Sequence, residues 1–100
     1  MKINVKSEGT KKWIELDGRL DTTAAPELTA VVEKEIQGDV KELEIDMANC
    51  GYVASSGLRV ILQAQKNMNR VGGKMVVKNV NDVVMEVFEM TGFSSILTIE

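Results

Sequence analysis

Between Glu42 and Ile99 the apolar residues change their period repeatedly, and this constrains the fold more than any other feature of the chain. Leu43, Ile45 and Met47 alternate with polar residues, Leu58, Ile61, Leu62 and Met68 recur at helical spacing, and Met75, Val76 and Val77 form a short apolar run. Val83, Val84, Val87 and Phe88 then return to helical spacing before Ser95 to Ile99. A two-residue period places apolar groups on one face of a strand, and a spacing of three or four places them on one side of a helix. Such switching builds strand–helix–strand units, whose crossovers are right-handed and whose strands are parallel neighbours.

The earlier residues read differently. Lys2 to Ser7 alternates through Ile3 and Val5, and Trp13 to Asp17 repeats the pattern after Glu8, Gly9 and Thr10, which predicts an antiparallel hairpin. Gly18 to Asp21 breaks the alternation, and the spacing of Leu28, Val31, Val32 and Ile36 predicts a helix. Thr22 or Thr23 is its expected N-cap, with Pro26 in its first turn, and Gly38 and Asp39 end it. A third strand is expected over Glu42 to Met47, a connecting loop over Ala48 to Tyr52, and a second helix from Ser56 to Arg70 stopped by Gly72 and Gly73. The Met75 to Val77 strand, a third helix capped by Asn81 or Asp82 and closed by Thr91 and Gly92, and a last strand over Ser95 to Ile99 complete the order ββαβαβαβ. The expected fold is α/β, one domain over residues 1–100 with a mixed sheet.

Composition narrows the chemistry. A chain of 100 residues is long enough for one core and too short for two. The net charge of −3 repels phosphate backbones and anionic lipid surfaces, and no apolar run reaches the ~18 residues that span a bilayer, so neither nucleic acid nor membrane insertion is expected. With no histidine and the single Cys50, a histidine base, a Cys/His pair and an ordinary zinc site are all excluded. The acids lack metal-ligand spacing, and Gly72 and Gly73 precede a strand where a phosphate cradle would precede a helix. No cofactor, metal or catalytic residue is therefore expected. Ile3 to Val5 is far shorter than a signal-peptide core, and a lone cysteine suits a reducing compartment, so the expected location is the cytoplasm.

The strands ending at Asp17 and Met47, if parallel neighbours, emerge on one edge of the sheet, where sites of open α/β folds form. Gly18 to Thr23, Asn49 to Leu58 and Asn79 to Asp82 should converge there, with Asp21 close to Ser56. Ser55 and Ser56 stand at the start of a helix, where unpaired N–H groups and the macrodipole attract oxygen acceptors and anions. A serine there either caps the helix or carries a phosphate. Asp21 likewise either caps the first helix or presents an exposed acid, and Gly57 allows close helix–strand packing.

Gly18, Arg19, Leu20, Asp21, Thr22 and Thr23, followed by Tyr52, Val53, Ala54, Ser55, Ser56, Gly57 and Leu58, resemble the motifs of the STAS domain, the anti-sigma factor antagonists and their relatives. The resemblance extends to Gly73, Asn79, Val80 and the Thr91, Gly92, Phe93 segment. It implies a phosphorylation-switched binding module that sequesters an anti-sigma factor serine kinase and so regulates transcription. Ser56 corresponds to the phosphorylated serine, and Ala54 stands where the family carries aspartate. Asp21, Thr22, Thr23, Ala54, Ser55, Ser56, Gly57, Leu58 and Arg59 are the implied partner-binding residues, with the kinase and a serine phosphatase as implied partners. Two other roles fit the same resemblance: the STAS subunit of a membrane lipid ABC transporter, binding its ATPase constitutively, and a scaffold component of a stress-signalling complex.

Overall fold

Glu8 pairs with Lys11 across a two-residue turn in which Gly9 takes φ +59°, a conformation that favours glycine, and this turn folds strand β1 (Lys2–Glu8) antiparallel onto β2 (Lys11–Leu20). The computed structural model describes residues 1–100. After β2 come α1 (Ala25–Glu35), β3 (Glu42–Val53), α2 (Ser55–Arg70), β4 (Lys74–Lys78) and α3 (Asp82–Met90). The sheet order is β1-β2-β3-β4, with β2, β3 and β4 mutually parallel, as the alternation of periods predicts.

One face of the sheet carries the core. Ile14, Leu16 and Leu20 from β2, Leu43, Ile45 and Met47 from β3, and Met75 and Val77 from β4 are buried. They pack in one cluster with Leu28 and Val32 of α1, Leu58, Ile61, Ala64 and Met68 of α2, and Val84 and Phe88 of α3. The helices therefore cover a single face. The opposite face is polar and laced with ion pairs: Lys78 to Glu44 at 3.0 Å, Lys6 to Glu15 at 3.4 Å and Lys11 to Glu44 at 3.9 Å.

Several boundaries differ from expectation. Ala48 to Tyr52 is not a loop but the continuation of β3, and Gly18 to Leu20 likewise continues β2. Register shifts between Glu15 and Asp17 and between Gly18 and Arg19 absorb irregular residues, so the inward pattern of β3 moves from Met47 to Cys50 and Val53. This irregularity breaks the two-residue period that a sequence pattern requires. The expected last strand is mostly absent: Phe93–Ser95 forms a 3₁₀ turn, and only Ile99 bridges to Val77. Val83 is exposed and not part of the α3 core stripe, which Val84 and Phe88 supply. Cys50 is buried within β3, and burial pushes its thiol pKa up, away from reactive thiolate.

At the last β3–β4 pair, Asp46 with Lys78, Asp46 Oδ1 accepts from the Asn79 side-chain amide at 3.0 Å and from the Ala48 N–H at 2.9 Å. These donors hold the carboxyl below its ordinary value, the Asn79 bond most. A depressed folded pKa contributes stability that is present above the ordinary aspartate value and is lost as pH falls through the lowered one. The stability gap between the natural chain and Asp46→Ala is therefore expected to shrink as pH falls from about 5 through the ordinary aspartate value and below it. Urea unfolding at several pH values measures this, and a gap constant across that range would disprove the linkage.

Candidate functional site

The carboxyl ends of β2 and β3 do emerge on one edge, and three segments are stitched together there. Leu20 pairs with Val53, and the Ala54 N–H donates to the Leu20 carbonyl at 2.8 Å. Asn81 joins from the other side: its side-chain amide donates to the Cys50 carbonyl at 3.2 Å, while its Oδ1 accepts from the Val84 N–H at 2.8 Å and caps α3. The expected convergence of residues 18–23, 49–58 and 79–82 is thus present.

Gly57 sets how closely α2 approaches this edge. A Cβ at that position would lie 2.5 Å from Leu20 Cγ and 2.9 Å from the Leu20 carbonyl oxygen, so only glycine allows the helix to rest on the end of β2. Asp21 follows Leu20 directly, which brings the two motifs side by side.

The structure also resolves the capping alternatives. α2 begins after Ala54, whose backbone is extended and whose side chain cannot cap. The first intrahelical bond runs from the Leu58 N–H to the Ala54 carbonyl at 3.0 Å, which leaves the N–H groups of Ser55, Ser56 and Gly57 without carbonyl partners. Neither serine fills the cap role. Ser56 Oγ is buried and has no hydrogen-bond partner, while Ser55 is exposed. No acidic residue stands in the first turn of α2, so its positive end is uncompensated.

Thr22 and Thr23 do not cap α1; both are exposed, because the chain is already turning helically there. Asp21 performs that task. Its Oδ1 accepts from the Ala24 N–H at 2.9 Å, and its carbonyl accepts from the Ala25 N–H at 3.0 Å. Asp21→Ala is expected to cost about 1 kcal/mol, the usual loss for a deleted cap, whereas Asp21→Asn keeps an acceptor and should cost much less. Thermal melts of the two variants measure the difference, and equal melting would deny Asp21 the capping role.

The remaining site residues divide by exposure. Leu58 and Gly57 are buried in the core, so they position the edge and present no side chain to a partner. Arg59 is exposed on α2 and Ala54 is half-buried. Two motif residues form a pair on this edge that the motifs alone do not indicate: Arg19 lies over the Tyr52 ring at 4.1 Å from its centroid, and the two are register partners on β2 and β3. Tyr52 is thus part of an exposed cationic–aromatic pair at the edge. Only the strand register, with its irregularities, places the two together. No group of three or more acidic or thiol side chains is assembled to hold a metal, and no helix is long and apolar enough to cross a membrane.

Comparison with known proteins gives consistent results. The STAS domain family model matches residues 2–100. BtrV of Bordetella bronchiseptica, assigned as an anti-sigma factor antagonist, is 31% identical over 84 residues, covering 84% of this chain and 72% of that protein. The anti-sigma-B factor antagonist of Staphylococcus aureus is 25% identical over 99 residues, covering 97% of this chain and 92% of the relative. Among solved structures, the Bacillus cell fate determinant SpoIIAA in its phosphorylated form superposes with a TM-score of 0.78 at 21% identity, covering 99% of this chain and 91% of that one. At that identity the superposition establishes a shared fold.

Proposed function

The chain belongs to the STAS domain family, and we propose that it acts as an anti-sigma factor antagonist whose docking edge is switched by phosphate on Ser56. The observation that carries this reading is Ser56 itself, a hydroxyl without a partner on the uncapped first turn of α2, beside the Asp21 turn. The activity is binding. In the unphosphorylated form the edge formed by Asp21, Thr22, Thr23, Ala54, Ser55, Ser56 and Arg59 docks on an anti-sigma factor serine kinase in the cytoplasm and so releases a sigma factor. The kinase then modifies Ser56, and a serine phosphatase restores the hydroxyl.

Ala54 in place of the family aspartate removes one negative charge from this turn, so the phosphate would meet less repulsion from its own domain. The constitutive transporter subunit requires no modifiable hydroxyl, and the free Ser56 hydroxyl favours the switch. Incubating the protein with the anti-sigma factor kinase of the same organism and ATP, followed by peptide mass analysis, tests the assignment. Phosphate is expected on Ser56. Phosphate on Ser55, or none while the kinase modifies a control antagonist, would overturn it.

A further inference from the structure

The groove into which a modified Ser56 would turn contains one ionisable group. Its lining is Thr22, Ala25, Pro26 and Thr29 from the α1 side and Ser56, Arg59 and Val60 from α2. Ser56 Oγ is itself buried, so a phosphate there requires the side chain to rotate outward over this groove. Arg59 lies three residues along α2 from Ser56, the spacing at which helical side chains meet. None of the four ion pairs in the molecule involves Arg59, nor does any side-chain hydrogen bond, so its guanidinium is uncommitted.

We propose that Arg59 captures the phosphate on Ser56, and that phosphorylation therefore removes a cation from the docking edge as well as adding an anion. The inference rests on Ser56 being the phosphoacceptor. An exposed guanidinium free in the unmodified domain is available to a carboxylate of the partner. Once the phosphate forms, the same guanidinium has an intramolecular dianion within reach, and charge-assisted pairing with phosphate is among the stronger polar contacts. The unpaired N–H groups of Ser55, Ser56 and Gly57 supply further donors to the same phosphate. Val60 and Pro26 limit the polar groups that could compete for it.

A phosphate beside a fixed cation gives up its second proton at lower pH. The test uses full-length protein with phosphoserine placed at position 56 by genetic encoding, titrated by ³¹P NMR. The second phosphate pKa of phospho-Arg59→Gln is expected to lie about half a unit above that of the otherwise unsubstituted phosphoprotein, with Arg59→Lys recovering part of the shift. Lys66→Gln, which removes the same charge ten residues along α2 from Ser56, should leave the value nearly unchanged. Equal titration of the unsubstituted, Arg59→Gln and Lys66→Gln phosphoproteins would overturn the capture. Because the phosphate is installed without a kinase, this outcome is separate from failure of enzymatic phosphorylation, which would count against the switch itself.

Discussion

Phosphate on Ser56 is expected to weaken binding of the anti-sigma factor by about a thousandfold while leaving the domain folded. Two energies of different size decide this. At the uncapped start of α2 the added negative charge meets free N–H groups and the positive end of the helix dipole, a gain of about 0.3 to 1 kcal/mol. A partner docked over the same turn must instead desolvate a group of about −1.5 to −2 charge and forgo the Arg59 guanidinium that the phosphate engages, which together cost several kcal/mol. A difference of about 4 kcal/mol corresponds to the thousandfold change. Calorimetry with the purified kinase should show tight binding by the unmodified protein and by Ser56→Ala, which cannot be switched off. Ser56→Asp should bind with intermediate strength, because a carboxylate carries less charge and a different geometry. Equal affinity across unmodified, phosphorylated and substituted forms would instead support the constitutive transporter-type role.

Gly57→Ala is expected to destabilise the domain by about 2 kcal/mol, although alanine is the better helix former by about 1 kcal/mol. The added methyl would stand 2.5 Å from Leu20 Cγ and 2.9 Å from the Leu20 carbonyl oxygen. Leu20 is fully buried and its carbonyl is held by the Ala54 N–H, so neither group can retreat without disturbing β2 or the start of α2. Overpacking of this kind outweighs the gain in propensity, and the melting temperature should fall by about 8 to 16 °C. Gly51→Ala is the control, because a Cβ there meets nothing within 4 Å, and its melting point should change little. A Gly57→Ala protein as stable as the natural chain would show that α2 can shift off β2 freely. The same variant moves Ser56 relative to Asp21, so slower phosphorylation should accompany the loss of stability.

Periodicity and local turn chemistry were legible without the fold. The alternation at Leu43, Ile45 and Met47 and the helical spacing of Leu58, Ile61 and Met68 determine which faces are buried. Gly9 between Glu8 and Lys11 determines the hairpin, and Asn81 before an apolar stripe determines the α3 cap. These signals are local, because each residue's preference is set by neighbours within about one helical turn or one strand pair. The serine motif was legible in the same way, as a hydroxyl pair at a strand–helix junction.

Which oxygen does which task was decided by tertiary structure. Asp21, and not Thr22 or Thr23, caps the turn into α1, because β2 runs on to Leu20 and places the Asp21 carboxylate under the Ala24 N–H. β3 runs on to Val53 through residues that break the alternating pattern, because pairing with β2 accommodates the irregular positions through register shifts. The Arg19–Tyr52 pair depends on that shifted register, and the burial of Ser56 Oγ depends on α2 resting against Leu20 through Gly57. Each is a contact between residues distant in sequence, so its energy depends on how strands and helices meet and is absent from any local pattern.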